Sequence, residues 1–218
     1  MKPFEQFVKE DLIDFHNRLR PIYTEWSSGR TDDCLSYYFN HKPRFDKMLE
    51  VLRRNNVKTD RVAELGSFLP YTAYSLETLA VDCFDILFTY YNIDNFQSGK
   101  FKFQGINLCY NLPTEQYDLK ILSEVIEHLP VSLIDLQKRV IDSMNSGEFL
   151  LMTYPMAGVN AKDYEKDYGD YERFRHEHLR EFTDETVAQF FTDLIKVDED
   201  ELTYPAYGRM RIVLYKKG

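Results

Sequence analysis

The chain has 218 residues, which is enough for one α/β domain with a modest appendage and too few for two full enzymatic domains. Its formal net charge is -9 and its basic residues are interleaved with acids, which argues against nucleic acid as a partner. No apolar stretch reaches bilayer length, the N-terminus lacks a signal-type apolar core, and the three cysteines are scattered, so we expect a cytoplasmic protein that does not enter a membrane and has reduced thiols.

Residues 1–58 are predicted to form an N-terminal helical extension. One amphipathic segment spans about 4–20 and ends before Pro21. A second helix is predicted over about 41–55, where four apolar residues recur at helical spacing: Phe45, Met48, Leu49 and Leu52. The segment from Trp26 to Thr31 between them has the composition of an exposed turn.

From Arg61 onward, short apolar runs alternate with helical patterns, which is the rhythm of βαβ units. A helix is predicted over Val131–Met144, directly before the strand with the clearest pattern. The predicted strands are Val62–Leu65, Leu79–Cys83, Phe101–Leu108, Leu119–Leu122, Phe149–Thr153 and a final hairpin of about Ile195–Leu202 with Arg209–Tyr215. The predicted fold class is therefore α/β, with a Rossmann-like, doubly wound, mostly parallel seven-stranded sheet and a C-terminal antiparallel hairpin.

Residues 156–180 are too long for a routine connection and are predicted to be a lid-like insertion. A helix is expected to resume at Thr183, a suitable N-cap, with Asp184 and Glu185 at the positive end of its dipole.

Ligands of doubly wound sheets bind outside the carboxyl ends of the strands, so the residues after each strand are candidates for a site. The first strand runs into Glu64-Leu-Gly66-Ser67, where a glycine lets the backbone approach a ligand closely. The second strand is expected to end at Asp82, 18 residues beyond Glu64 (82 minus 64), the place of a carboxylate that accepts from ribose hydroxyls.

The third and fourth strands supply the remaining candidates. Asn107 and Leu108 lie at the predicted end of the third strand, where an amide side chain can pair with a purine edge. The fourth strand exits through Leu122-Ser123-Glu124-Val-Ile-Glu127-His128-Leu, which places two acids and a histidine at one strand end.

These segments resemble class I S-adenosylmethionine-dependent methyltransferases, in particular the small-molecule group with a Glu-Val-Ile-Glu-His-Leu signature after strand four. The resemblance covers about Val62 to Phe191 and includes Ser146-Gly147-Glu148 before strand five and the run His178-Leu-Arg-Glu-Phe-Thr183. It implies a methyltransferase domain over 59–218. One departure is clear, because the family usually has three alternating glycines after strand one and only Gly66 is present here.

The resemblance also implies the cofactor, S-adenosyl-L-methionine, and the residues that hold it. Glu64, Gly66 and Ser67 would lie beside its methionine part. Asp82 would hold the ribose, Asn107 and Leu108 would frame the adenine, and Ser123 and Glu124 would lie at the methyl-donor end. The acceptor would be a small molecule, for which a sugar or surface-glycan precursor is one candidate class.

A hydroxyl acceptor needs a base, and three histidines are candidates: His178, His176 and His128. His128 has the alternative role of a local cap. His176 and His178 could suggest a metal pair, but no further ligand cluster accompanies them, so no metal is predicted. Arg173, Arg175 and Arg180 could hold an anionic group of the acceptor or could pair with neighbouring glutamates on a solvated face.

The sequence therefore predicts transfer of a methyl group to an oxygen or nitrogen of a small molecule. The alternative is a methyltransferase-like domain that has lost catalysis and serves as a binding or structural subunit, which the glycine-poor loop and the many aromatic residues would suit. A nicotinamide-dependent dehydrogenase requires Gly-x-Gly-x-x-Gly after strand one, and Gly66-Ser-Phe-Leu-Pro does not supply it.

Overall fold

The computed structural model describes residues 31–67, 70–76, 78–90, 97–156, 179–180, 182–204 and 208–218. Its first helix, α1 (Thr31–Arg54), is followed by β1 (Arg61–Leu65), α2 (Tyr71–Tyr74), β2 (Ala80–Asp85) and α3 (Ile86–Tyr90). The chain continues through β3 (Gln97–Ser98), β4 (Phe101–Gly105), β5 (Leu119–Ser123), α4 (Leu133–Ser143) and β6 (Phe149–Pro155). It ends with α5 (Asp184–Ala188), β7 (Ile195–Tyr204) and β8 (Gly208–Lys216). No helix within these ranges is both long and apolar enough to cross a bilayer.

The strands form one sheet in the order β3-β4-β2-β1-β5-β6-β8-β7. The five strands from β4 to β6 pair in parallel, whereas β8 pairs antiparallel with both β6 and β7. The predicted α/β fold is confirmed, with its mostly parallel sheet, its seven predicted strands and its antiparallel final hairpin. The two-residue strand β3 was not predicted and adds an eighth strand at one edge.

Strand residues alternate between two apolar layers, one on each face of the sheet. On one face, Val62, Val81 and Ile121 pack with the buried residues of α1, including Phe45, Met48 and Leu49. On the other, Ala63, Leu122 and Met152 pack with Leu136 and Val140 of α4 and with Phe190. The helical extension therefore contributes directly to the core of the domain.

Several predicted boundaries are wrong. The helix predicted over 41–55 begins at Thr31 and continues through Pro43. The second strand does not end at Asp82 but continues to Asp85, and the third ends at Gly105, so Asn107 and Leu108 lie in the turn that follows. Helix α5 begins after Thr183 as predicted, and the Thr183 hydroxyl accepts from the Thr186 amide at 3.1 Å. The segment 4–20 and nearly all of the insertion at 156–180 lie outside the described residues.

A buried lysine ties β5 to the segments on either side of it. Lys120 is fully buried, and its ammonium lies 3.3 Å from a carboxylate oxygen of Glu148. It also donates to the carbonyls of Pro113 and Ser143. Glu148 in turn accepts from the Tyr117 amide at 2.6 Å. Because both charges have hydrogen-bond partners, the pair is a structural junction rather than a reactive site.

Candidate functional site

The turn after β1 is built on a glycine that no other residue could replace without strain. Gly66 has a φ of +71°, and an added Cβ would overlap Cγ2 of Val125 and approach its Cγ1 to 3.0 Å. The amides of Gly66 and Ser67 donate to the Phe84 carbonyl at 2.7 and 3.1 Å. The single glycine thus lets β1 turn sharply against both β2 and the exit of β5, and Ser67 is buried at this turn.

Glu64 organises the segment that follows this turn. Its side chain is only 5% exposed, and its carboxylate accepts from the Ala73 amide in the first turn of α2 at 2.9 Å. Burial raises the pKa of Glu64 to about 8, although hydrogen bonds from the amides of Ala73 and Thr72 oppose the shift. Glu64 therefore orders the segment between the turn and α2.

The acid at the end of β2 is Asp85 and not Asp82. Asp82 lies three residues before the end of the strand, accepts a hydrogen bond from the Tyr117 hydroxyl at 2.9 Å, and lies 3.6 Å from the Arg61 guanidinium. Asp85 is paired in register with Gly105, the last residue of β4. The prediction that Asp82 ends the strand is therefore wrong, and the carboxylate that follows the sheet edge belongs to Asp85.

The turn after β4 places Asn107 beside this acid. The Ile106 amide donates to the Asp85 carbonyl at 3.2 Å, which holds the turn against the end of β2. The side-chain oxygen of Asn107 accepts from the Cys109 amide at 2.9 Å, so it stabilises the turn. Leu108 is buried at 5% exposure, and Tyr110, two residues later, is 71% exposed.

A chain of hydroxyls fixes Glu124 at the exit of β5. The Thr153 hydroxyl donates to Oε1 of Glu124 at 2.8 Å, so the Ser123 hydroxyl must be the donor in its own 2.8 Å contact with Thr153. Glu124 also has a φ of +54°, a conformation uncommon for a residue other than glycine. Its backbone amide donates to the Thr153 carbonyl at 3.0 Å, which supports this conformation.

Helix α1 brings a cation to the same point. Arg44 is only 3% exposed, and its Nη1 lies 3.6 Å from Oε2 of Glu124. Its guanidinium also lies over the rings of Phe45 and Tyr37, 4.9 and 5.8 Å from their centroids. The burial of His41 and the positive charge of nearby Arg44 lower the pKa of His41 to about 4.

Three residues beyond Glu124, Glu127 is fully buried. Its Oε1 lies 3.8 Å from Nε2 of His128, and its backbone carbonyl accepts from the Leu179 amide at 2.7 Å. Arg180 donates to the carbonyls of Leu129 and Val131, each at 2.5 Å.

The other two candidate bases, His176 and His178, lie outside the described residues, as do Arg173 and Arg175. Among the residues that are described, no group of three His, Cys, Asp or Glu side chains is arranged to hold a metal ion.

Strand register brings most of the predicted residues to one edge. Leu65 pairs with Phe84 on one side and with Leu122 on the other, so Gly66, Asp85 and Ser123 lie together where these three neighbouring strands end. Sequence reasoning missed Asp85, Thr153 and Arg44. One signal for Arg44 was available, because it lies on the face of the helix that carries His41 and Met48, where a charge is unusual.

Comparison with known proteins identifies the fold through solved structures. No protein-family model matches the sequence, and no curated protein matches it. The N-methyltransferase NodS from Bradyrhizobium japonicum superposes with a TM-score of 0.56 at 11% identity, over 82% of this chain and 96% of that one. A S-adenosylmethionine-dependent methyltransferase from Clostridium acetobutylicum gives 0.59 at 12% identity, over 93% and 99%. Coclaurine N-methyltransferase bound to N-methylheliamine and S-adenosylhomocysteine gives 0.58 at 12% identity, over 79% and 70%.

The sheet and the polar residues at its edge define a Rossmann-like α/β protein with a candidate site at the carboxyl ends of β1, β2, β4 and β5. Within that class, the chain has the class I S-adenosylmethionine-dependent methyltransferase fold, as the structural likenesses show. The fold predicted from the sequence is thereby confirmed.

Proposed function

We propose that this chain transfers a methyl group from S-adenosyl-L-methionine to an oxygen or nitrogen of a small molecule. The observation that carries the proposal is the meeting of a glycine turn, an acid and a polar turn at adjacent strand ends. Leu65 pairs with Phe84, and Asp85 pairs with Gly105, so the turns after β1 and β4 and the acid at the end of β2 lie at one edge of the sheet. The likeness to methyltransferases crystallised with S-adenosylhomocysteine supports the same cofactor here.

The residues at this edge fit the cofactor. Asp85 follows the edge beside Gly105, where a carboxylate can accept hydrogen bonds from two ribose hydroxyls. We therefore assign the ribose to Asp85 in place of Asp82. Adenine would lie against the turn after β4. There, Asn107 offers a polar side chain, and Leu108 and the exposed ring of Tyr110 offer apolar surface.

The methionine end of the cofactor would lie at Gly66 and Glu124. Glu124 is held at the β5 exit by Thr153 and lies opposite Arg44, so this end has both an acid and a cation. An amino acid zwitterion presents one group of each sign, and the two side chains match that pattern. Bound there, the cofactor supplies an activated methyl group on sulfur, and the protein's part is to align it with the acceptor.

Calorimetry with S-adenosylhomocysteine tests the proposal. We expect binding by the unaltered protein and a loss of at least about tenfold in affinity for Asp85→Asn, because hydrogen bonds to a charged group contribute roughly 1.5–3 kcal/mol each. The matched variant Asp82→Asn, three residues earlier in the same strand, should bind within about twofold of the parent. Absence of binding at millimolar ligand by a folded protein would refute the proposal, and a larger loss in Asp82→Asn would refute the assignment of Asp85.

A further inference from the structure

The helix that follows the turn after β1 is too short to be stable by itself. α2 has four residues, Tyr71–Tyr74, whereas an isolated helix in water needs about 12–15 residues to form even in part. Its residues are nevertheless buried, since Tyr71, Thr72 and Ala73 are each at most 1% exposed. The conformation of α2 therefore depends on the groups that contact it from the rest of the fold.

An acid and a lysine hold α2 through the two backbone groups of one residue. The Ala73 amide donates to the carboxyl group of Glu64 at 2.9 Å, and the Ala73 carbonyl accepts from the ammonium of Lys100 at 3.3 Å. Lys100 also donates to the carbonyl of Leu76, just beyond the helix, at 2.6 Å. An acid near helix amides and a cation near helix carbonyls are the favourable charges for a helix dipole. Glu64 and Lys100, which we call the α2 clamp, thus join α2 to β1 and β4.

The sheet fixes Lys100 where it meets α2. Lys100 directly precedes β4, and its backbone carbonyl accepts from the Val81 amide at 2.8 Å. Its ammonium lies 5.2 Å from the centroid of the Phe101 ring. Lys102, two residues later in β4, is exposed and offers a natural comparison. The backbone of Lys100 is therefore anchored, so its charge is presented to α2 from a fixed position.

α2 connects the clamp to both sides of the proposed site for the methionine part of the cofactor. On one side, it follows the turn built on Gly66. On the other, the ring of Tyr71 packs against Phe45 of α1, with centroids 5.7 Å apart. Arg44, the neighbour of Phe45, lies 3.6 Å from the carboxylate of Glu124. A shift of α2 would therefore disturb both the turn and the helix that carries Arg44.

We propose that Lys100 is a positioning residue for the cofactor, which keeps α2, and with it the Gly66 turn, in the conformation that accepts the methionine part of S-adenosyl-L-methionine. This inference rests on the proposed function. Lys100 lies at the amino end of β4, whereas the proposed site lies at the carboxyl ends of the strands, so it acts through α2 and does not touch the ligand. A binding-competent conformation that is populated only in part lowers the apparent affinity by that fraction. Loss of Lys100 should therefore weaken binding of the methionine part and leave binding of the adenosine part unchanged.

Calorimetry on the full chain with two probes tests this inference. S-adenosylhomocysteine carries the amino acid part, and methylthioadenosine lacks it. Lys100→Met should lower the affinity for S-adenosylhomocysteine by about 10-fold, as expected when hydrogen bonds from a charged group are lost, and should change that for methylthioadenosine by less than about twofold. The matched variant Lys102→Met should bind both probes within about twofold of the parent.

Rescue by a conservative variant separates positioning from a general loss of stability. Lys100→Arg keeps the charge and the donors, so it should bind S-adenosylhomocysteine within about threefold of the parent. Should Lys100→Met fail to fold, as judged by circular dichroism, Lys100→Gln takes its place, because it keeps a donor and loses only the charge. The same direction of change is expected, with a loss of about threefold or more.

Amide hydrogen exchange supplies a signature at the helix itself. The Ala73 amide should exchange faster in Lys100→Met than in the parent, and saturating S-adenosylhomocysteine should return it toward the parent rate. An unchanged affinity in Lys100→Met, equal losses for the two probes, or an equal loss in Lys100→Arg would each overturn the inference. Failure of the parent to bind S-adenosylhomocysteine would instead overturn the proposed function.

Discussion

Replacing Gly66 by alanine should destabilise the protein through two separate effects. The φ of +71° places an alanine in the left-handed region, which costs roughly 1–2 kcal/mol. The new Cβ would also overlap Cγ2 of Val125 and lie 3.0 Å from its Cγ1, and overpacking of this kind costs about 1–3 kcal/mol. The sum, about 2–5 kcal/mol, corresponds to a fall in Tm of roughly 4–20 °C for a domain of this size.

Two controls separate these effects in urea unfolding. Gly147 has a φ of +85° and open space around its added Cβ, so Gly147→Ala should show the backbone cost alone. Val125→Ala combined with Gly66→Ala removes both Cγ atoms, so the double variant should be more stable than the sum of the single changes by about 1–3 kcal/mol. Equal losses for Gly66→Ala and Gly147→Ala, with additive behaviour in the double variant, would refute the packing argument.

Two further predictions concern buried charges. Lys120→Met leaves the carboxylate of Glu148 buried without its cation and should cost about 3–5 kcal/mol of unfolding free energy. Lys196→Met, in an exposed pair, should cost at most about 1 kcal/mol. Similar losses in the two variants would contradict the structural role of the buried pair. Burial raises the pKa of Glu64 from an ordinary 4.5 to about 8, so the folded state retains a proton that the unfolded chain releases. Stability should therefore fall as pH rises from about 4.5 to 8, by up to about 1.4 kcal/mol per pH unit, and then level off. Glu64→Gln should remove this slope in urea titrations, and an unchanged slope would show that another group causes it.

The periodicity of apolar residues was enough to predict the fold, because each strand alternates between two buried layers and each helix presents one stripe to them. The ends of the strands are harder to predict from the sequence. The sequence pattern predicts that the second strand ends at about its first acid, Asp82. This acid is tolerated within the strand because the hydroxyl of Tyr117, 35 residues later, donates a hydrogen bond to it. The pattern also predicts a third strand that continues through Ile106 and Leu108, because apolar residues in a turn cannot be told from strand residues by sequence alone.

The residues that the site acquires from other elements could not be predicted from local pattern. Thr153 reaches Glu124 only because β5 and β6 pair with Ser123 opposite Thr153. Arg44 reaches the same acid because α1 packs across the sheet. Long-range contacts of this kind depend on register and helix placement, and neither is encoded in the spacing of the residues that form them.

The position of β8 between β6 and β7 has a consequence for the order in which the protein assembles. While the chain is being synthesised, β6 and β7 are complete before β8 exists, and both then present unpaired edges to other nascent or misfolded chains. β7 carries four negative charges in the acidic run Asp198-Glu-Asp-Glu201. Because β7 pairs only with β8, charge repulsion between copies would disfavour pairing of β7 with the β7 of another chain until β8 is in place.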